Sequence, residues 1–162
     1  MSKTKTQYFK ELVDQKTADT TLEFLEKNVQ WEDSIYSKRK ARITRKGYNF
    51  TDNGDIIDDY VLQLVTETLK TIEDKIQCKY RLAGIYLNYY PNGESFLPSH
   101  SHIGQVQFVI SLGATRKLTI GKTEYAVGHG DCVIFGSSAH SIPIEPEVKN
   151  SRISIATFLD KI

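Results

Sequence analysis

The second half of the chain, from Tyr80 onward, consists of short runs rich in β-branched and aromatic residues. Glycine, proline, asparagine and serine separate the runs, which read AGIYLNYY, QVQFVISLG, RKLTIG, TEYAVG, DCVIFG and RISIATFL. Several short strands at this spacing are typical of an antiparallel sandwich or barrel, because a turn reverses the chain after every few residues. We therefore expect an all-β unit in this half.

The first half is predicted to be partly helical. Apolar residues recur at steps of three or four from about Ile57 to Ile76, which indicates an amphipathic helix. Thr20 and Glu23 have the spacing of a capping box, which predicts that another helix begins near Thr20. The expected architecture is α+β, with N-terminal helices packed on one face of the β unit.

Composition and charge favour one soluble domain. Of 162 residues, 40% are hydrophobic and 25% are charged, and no linker or repeat interrupts the chain. We read a single domain, 1–162, with a helical portion at about 1–79 and a β portion at about 80–162. The net charge of +1 means that any attraction to nucleic acid must come from a local patch.

The sequence also carries expectations about location. No apolar run reaches the roughly 18 residues of a membrane helix, and the N-terminus lacks the apolar core of a secretory leader. Cys78 and Cys132 form no CxxC pair and are expected to be reduced thiols. We expect a cytoplasmic or nuclear protein that is not secreted, does not bind membranes and is a monomer.

The histidines are the first candidate site. His100 and His102 are two residues apart, so in an extended segment both imidazoles point to one face. His140 follows the strand-like run DCVIF, and a jelly-roll sheet can bring such a strand beside the first pair. Imidazole suits iron, zinc, copper and nickel. The spacing alone equally allows a surface pair plus an unrelated third, and His129, between two glycines, is expected to be a turn residue.

Three residues on β-type runs are candidates for binding an anion. Arg152 begins the last run, where it is either solvated at the rim or clamps a carboxylate in a two-pronged contact that lysine could not imitate. Asn88 and Tyr90 alternate to one face of an earlier run. They either hydrogen-bond the same ligand or form an ordinary hydrogen-bonded strand pair.

An ordered set of segments points to a family. The segments are ARITRKGYNF, LNYYPNGESFLPSHSH, FVISLGATRKLTI, VGHGDCVIF, HSIP and SRISIATF. In order and rough spacing the chain resembles the AlkB-like branch of the iron(II)/2-oxoglutarate-dependent dioxygenases. The resemblance implies a double-stranded β-helix, or jelly-roll, core with an N-terminal nucleotide-recognition portion. It also implies Fe(II) and 2-oxoglutarate as cofactors and oxidative demethylation of N-alkylated bases in DNA or RNA.

The resemblance assigns roles to individual positions. His100 and His140 resemble the first and the distal histidine ligands of iron. Arg152 resembles the arginine that pairs with the far carboxylate of 2-oxoglutarate. Asn88 and Tyr90 resemble the residues that hydrogen-bond this co-substrate.

Two positions depart from the family pattern. His102 stands where the family has an aspartate ligand, so the predicted metal ligands, and catalytic residues, are His100, His102 and His140. Phe158 stands where the family has a second arginine, six residues after Arg152. We interpret the two departures as one coupled change, because an arginine without its carboxylate partner would be a costly unpaired charge. They put catalysis by the family mechanism in question.

A basic segment is the candidate substrate-binding region. Lys38 to Lys46 contains six positive charges, and Tyr48 and Phe50 follow. A charge run is often a solvated loop, but basic residues interleaved with aromatics can follow phosphates and stack on a flipped base. The segment coincides with the family's nucleotide-recognition loop. Arg42, Arg45, Tyr48 and Phe50 are therefore predicted to bind single-stranded or alkylated nucleic acid.

Two other functions remain open from the sequence. HSH followed by GDCVIFGSSAH is close to the two-part signature of cupins, which suggests a cupin-type three-histidine metalloenzyme. Against it, the glutamate that commonly follows the first cupin histidine pair is absent, and Gln107 is the nearest residue. The other alternative is a catalytically altered AlkB-like protein that binds nucleic acid without oxidising it.

Overall fold

The computed structural model describes residues 4–33, 40–46 and 56–162, with the backbone alone for 40–46. Within these residues the chain forms two helices and eleven strands. In chain order they are β1 (Gln7–Phe9), α1 (Gln15–Asn28), β2 (Glu32–Asp33), β3 (Lys40–Lys46), α2 (Ile56–Ile76), β4 (Tyr80–Tyr90), β5 (Leu97–His100), β6 (Val106–Gly113), β7 (Arg116–Ile120), β8 (Thr123–Val127), β9 (Cys132–Phe135), β10 (His140–Ile142) and β11 (Arg152–Lys161). Neither helix is long and apolar enough to cross a bilayer.

The strands form two antiparallel sheets. The larger has the order β1-β9-β6-β11-β4-β3-β2, and the smaller has the order β5-β10-β7-β8. Strands distant in sequence are neighbours, as when β11 lies between β6 and β4. This is the double-stranded β-helix core of an α+β fold, and it confirms the predicted fold class.

Alternation along the strands divides the apolar residues into two layers. Ile85 and Leu87 of β4 share one cluster with Val61 and Ile72 of α2 and Leu25 of α1. The second cluster is made by residues of both sheets: Tyr90, Val109, Leu118, Ile120, Val127, Val133, Phe135 and Ile142. Because successive side chains of a strand point to opposite faces, β4 covers the helices with one face and meets the smaller sheet with the other.

The N-terminal part differs from the sequence expectation in two respects. Helix α1 begins after Asp14, whose carboxylate accepts a hydrogen bond from the Thr17 N–H at 2.9 Å. The predicted start at Thr20 is wrong, because Thr20 lies inside the helix and its hydroxyl donates to the Lys16 carbonyl. This part also adds β1, β2 and β3 to the larger sheet, and two of these strands are too short to show a period of two.

Candidate active site

A cavity of about 450 Å³ opens between the two sheets. Its floor is formed by alternate residues of β4 and β11, which lie opposite one another in register. From one end to the other the pairs are Tyr90 with Arg152, Asn88 with Ser154, Tyr86 with Ala156, and Gly84 with Phe158. We call these four pairs the cavity floor. Arg152 and Phe158 line the same cavity because they are an even number of residues apart on β11 and therefore point to the same face of the sheet.

The three histidines of the predicted cluster meet at the wall of this cavity. His100 ends β5 and pairs in register with His140, which begins β10, while His102 follows β5 directly. One ring nitrogen from each lies within 4.8 Å of the others. Nitrogens that share an ion about 2.1 Å away lie between about 3.0 Å apart at a right angle and about 4.2 Å apart when opposite, so the widest separation in the cluster would need to shorten by about 0.6 to 1.8 Å to bind one.

The surroundings of the rings prepare them to bind a cation. His100 Nδ1 is 2.7 Å from the Pro98 carbonyl oxygen. Because a carbonyl only accepts, this contact favours the tautomer of the neutral ring with the proton on Nδ1, in which Nε2 is the nitrogen that can bind a metal. The ring of His102 meets the ring of Phe158 at 4.9 Å in a T-shaped contact, and Phe135 meets His140 in the same way.

Burial keeps two of the imidazoles neutral. Desolvation, assisted by the neighbouring His100, lowers the pKa of His140 to about 4. The same two causes lower the pKa of His102. Neutral imidazole is the form that binds a metal, so neither ring has to lose a proton at neutral pH before it can act as a ligand.

Arg152 lies at the other end of the cavity floor and is only 1% exposed. Its Nε donates to Ser111 Oγ at 2.8 Å, while its Nη1 has no hydrogen-bond partner among the described residues. The hydroxyl of Tyr90 is equally buried and also lacks a hydrogen-bond partner within the described part of the chain, and the guanidinium carbon of Arg152 lies 5.2 Å from the centroid of the Tyr90 ring. Burial lowers the pKa of Arg152, but an arginine remains charged in proteins.

These two orphaned groups make a site for an anion. Buried polar atoms are almost always hydrogen-bonded, and each exception requires an explanation. Next to them on the cavity floor, Asn88 Nδ2 is 3.4 Å from Ser154 Oγ. Asn88 thus forms the strand pair that the sequence left as one possibility, while it also lines the cavity with Tyr90.

A second buried arginine was not identified from the sequence. Arg116 begins β7 and is also 1% exposed. It donates from Nε to Glu145 at 3.1 Å, and its amino groups donate to the carbonyls of Asn92, Ser95 and Pro143. The inward positions of RKLTI, which alternate with exposed ones, are the only sequence signal for its burial.

Of the predicted nucleic-acid segment, the structure describes only the backbone of Lys40–Lys46. In the backbone register of β3 and β4, Arg42 lies opposite Leu87 and Arg45 opposite Ile85, with a bulge between Ile43 and Arg45. Tyr48 and Phe50 lie outside the described residues. Binding of nucleic acid by this segment stays a prediction.

His129 takes no part in the cavity. It lies in the turn before β9, where its Nδ1 accepts from the Gly113 N–H at 2.9 Å. Its Nε2 is 2.8 Å from a carboxylate oxygen of Asp19 in α1. The fourth histidine therefore joins a helix to the sheet, in the turn position that its flanking glycines indicate.

Comparisons with known proteins identify the fold. No protein-family model and no curated protein matches the chain. A 2OG-Fe(II) oxygenase-family oxidoreductase from Burkholderia pseudomallei is similar in structure, with a TM-score of 0.72, 15% identity, and coverage of 96% of this chain and 84% of that one. The structure of OsALKBH1 has a TM-score of 0.70, 12% identity and coverage of 97% and 99%.

A third structure widens the range. A prolyl-4-hydroxylase from Pseudomonas putida has a TM-score of 0.67, 11% identity, and coverage of 97% of this chain and 92% of that one. At such identities the likeness establishes the fold. The chain therefore has the fold of the 2OG-Fe(II) oxygenase structures and carries a three-histidine cluster in its cavity.

Proposed function

We propose that the protein is an iron- and 2-oxoglutarate-dependent oxygenase that demethylates N-alkylated bases in DNA or RNA. The observation that carries the oxygenase part is the joint content of one cavity. Three convergent imidazoles lie at its wall, and at one end of its floor lie the Arg152 Nη1 and the Tyr90 hydroxyl, which have no hydrogen-bond partner among the described residues. A metal and a dicarboxylate satisfy both sets of groups at once.

The residues fit both cofactors. Three imidazoles suit iron among the first-row metals and leave further coordination positions open. An orphaned guanidinium suits a carboxylate, to which it can donate two parallel hydrogen bonds. When bound, iron and 2-oxoglutarate would supply, with dioxygen as the oxidant, the oxidation of a substrate C–H bond to C–OH, with succinate and carbon dioxide as co-products; an N-hydroxymethyl group then leaves as formaldehyde.

The side chains of this chain have separate tasks. His100, His102 and His140 would hold the metal, and Arg152 would bind the far carboxylate of the co-substrate. The Tyr90 hydroxyl would donate to the same carboxylate. Apolar side chains line the space between these groups and exclude water from it: Leu118, Ile142, Val109 and Phe135.

The contact between His102 and Phe158 supports the coupled change proposed from the sequence. The centroids of the two rings are 4.9 Å apart. An aspartate at position 102 would place a carboxylate beside position 158, where an arginine could pair with it. With histidine and phenylalanine both positions are uncharged and pack as aromatics. The neutral donor set leaves a bound divalent metal one unit more positive than a set with one carboxylate.

The choice of nucleic acid as substrate rests on the sequence. The ordered AlkB-like segments and the basic segment from Lys38 to Lys46 support it. A base carried on a single strand is the easiest target, because less pairing is lost when it enters a cavity.

The decisive experiment is mass spectrometry of methylated single-stranded DNA and RNA after incubation with protein, iron(II), ascorbate and 2-oxoglutarate. We expect loss of the methyl group and an equal amount of succinate. Arg152→Met should abolish both products, whereas Lys122→Met, which removes a positive charge from the exposed turn after β7, should not. Oxidation of a peptide instead of a base would overturn the nucleic-acid assignment.

The same preparations distinguish the alternatives. Metal bound without turnover of 2-oxoglutarate would favour a cupin-type metalloenzyme. Oligonucleotide binding without metal would favour a scaffold that no longer oxidises. Metal analysis of His102→Ala should show weaker iron retention than wild type, and equal retention would exclude His102 as a ligand.

A further inference from the structure

The half of the cavity floor opposite Arg152 is aromatic. Its two pairs, Tyr86 with Ala156 and Gly84 with Phe158, each combine one large ring with one small residue. The rings of Tyr86 and Phe158 lie 5.3 Å apart and nearly perpendicular, at 85°. They form a corner, and the small residues opposite them leave space in front of it.

The length of the floor leaves this corner free of the co-substrate. Successive pairs on one face are two residues apart, so each step along the strands measures about 6.6 Å. In the proposed function a five-carbon dicarboxylate lies between Arg152 and the metal, and because it is no longer than about one such step it ends at the metal and does not reach the Phe158 pair. His102, which touches Phe158, places the metal end of the cavity beside the corner. The corner is thus next to the metal and beyond the co-substrate.

The described side chains that line the cavity carry permanent charge of one sign only, which is positive. Among the described residues that line it there is no carboxylate and no lysine, and Arg152 is its one permanent charge. A metal held by His100, His102 and His140 receives no negative charge from its protein ligands. With 2-oxoglutarate bound, its two negative charges offset the two positive charges of a divalent metal and the charge of Arg152 remains, so a cationic group that entered the corner would meet a net charge of about +1.

We propose that Tyr86 and Phe158 form a subsite for an uncharged planar ring, so that neutral N-methylated bases are accepted in preference to those whose methylated ring is a cation. This inference rests on the proposed function and specifies its substrate. Stacking on an aromatic side chain tolerates any flat ring, and the small residues Gly84 and Ala156 leave room for it. Aromatic rings also attract cations, but only weakly unless the cation loses its water, and the enclosed positive charge opposes that loss.

Two bases of nearly equal shape test the inference. 3-Methyluracil is neutral at pH 7 and 3-methylcytosine is a cation, and both carry the methyl group on the same ring nitrogen. Each is placed at the centre of a thymidine trinucleotide. Binding is measured by calorimetry to protein loaded with zinc(II) and 2-oxoglutarate, which cannot turn over. We expect the neutral trinucleotide to bind at least about tenfold more tightly.

Variants separate stacking from general damage. Phe158→Leu should weaken binding of the neutral trinucleotide by about tenfold while its affinity for 2-oxoglutarate stays unchanged. Tyr125→Leu, which removes a ring outside the cavity, should leave both affinities unchanged. Equal binding of the two trinucleotides, or a Phe158→Leu variant with full affinity, would overturn the inference.

The two levels of proposal fail in different ways. If both bases are demethylated and both trinucleotides bind with equal affinity, the proposed function stands and only the charge preference is overturned. Absence of trinucleotide binding together with no turnover of any methylated oligonucleotide would remove the proposed function as well.

Discussion

Two arginines of this protein are buried to the same extent and differ in what surrounds them. Arg116 and Arg152 are each 1% exposed, and their guanidinium carbons lie 5.7 and 5.2 Å from the ring centroid of Tyr90. Arg116 is paired with Glu145 and also donates to three backbone carbonyls. Arg152 donates to Ser111 and keeps an unpartnered amino group. Burial alone therefore does not separate a structural cation from a binding cation, whereas the supply of acceptors does.

The difference has a physical consequence. A buried charge whose hydrogen bonds are complete helps to define the fold, and removal of its partner leaves an uncompensated charge behind. A buried charge whose hydrogen bonds are incomplete lowers the stability of the ligand-free protein. The same incomplete hydrogen bonds strengthen the binding of a complementary anion. Substitutions around Arg116 should therefore change the free energy of unfolding, whereas substitutions of Arg152 should change the affinity for an anionic ligand.

The largest effect is expected from removal of the acid that pairs with Arg116. Glu145→Ala should lower the free energy of unfolding by about 3–5 kcal/mol, because it leaves a buried guanidinium without its counter-ion. Glu147→Ala, two residues away and exposed, is the matched control and should leave the free energy of unfolding unchanged. Denaturant titration measures both. Equal stability of the two variants would show that the acceptors of Arg116 do not stabilise the fold.

The second effect is expected in binding and not in stability. Arg152→Met should unfold within about 1 kcal/mol of wild type, because it removes one hydrogen bond together with an unsolvated charge. Its affinity for 2-oxoglutarate, measured by calorimetry on zinc-loaded protein, should fall at least about 30-fold. If Arg152→Met is as unstable as Glu145→Ala, the contrast between the two arginines is wrong.

The sequence does not separate these two residues by itself. Each begins a β-type run, RKLTI or RISIATF, and each is followed by alternating buried positions. The partners of Arg116 are backbone carbonyls and a carboxylate far along the chain, and none of them has a sequence signal. The resemblance to a family identified Arg152, and only the folded structure shows that its amino group is unpartnered.

The same distinction between local and long-range signals applies to other parts of the fold. The glycine-separated runs predicted most of the strands, because turn chemistry is local. The joining of His140 to His100 and His102 depends on the pairing of β10 with β5, which spacing allowed but did not require. The predicted start of α1 at Thr20 is wrong because Thr20 and Glu23 have the spacing of a capping box, whereas in the structure Asp14 is the N-cap residue.

A smaller effect should follow from loss of the second orphaned group. Tyr90→Phe removes only the hydroxyl, which has no partner within the described residues, so the free energy of unfolding should not fall. If this hydroxyl donates to the carboxylate that Arg152 binds, affinity for 2-oxoglutarate should fall about tenfold, as expected for one hydrogen bond to a charged group. Unchanged affinity would place the dicarboxylate away from Tyr90.

The smallest effect on binding of 2-oxoglutarate is expected from Ser111, which accepts a hydrogen bond from the Arg152 Nε. Ser111→Ala removes the acceptor of the Arg152 Nε and should lower the free energy of unfolding by about 1–3 kcal/mol, because a buried N–H is left without its acceptor. Because the guanidinium then loses the hydrogen bond that orients it, affinity for 2-oxoglutarate should also fall, by about threefold to fivefold. Ser141→Ala, a serine of β10 that does not line the cavity, is the control for both measurements. A Ser111→Ala variant that binds the dicarboxylate more tightly would mean that the serine competes with the ligand for Arg152 instead of orienting it.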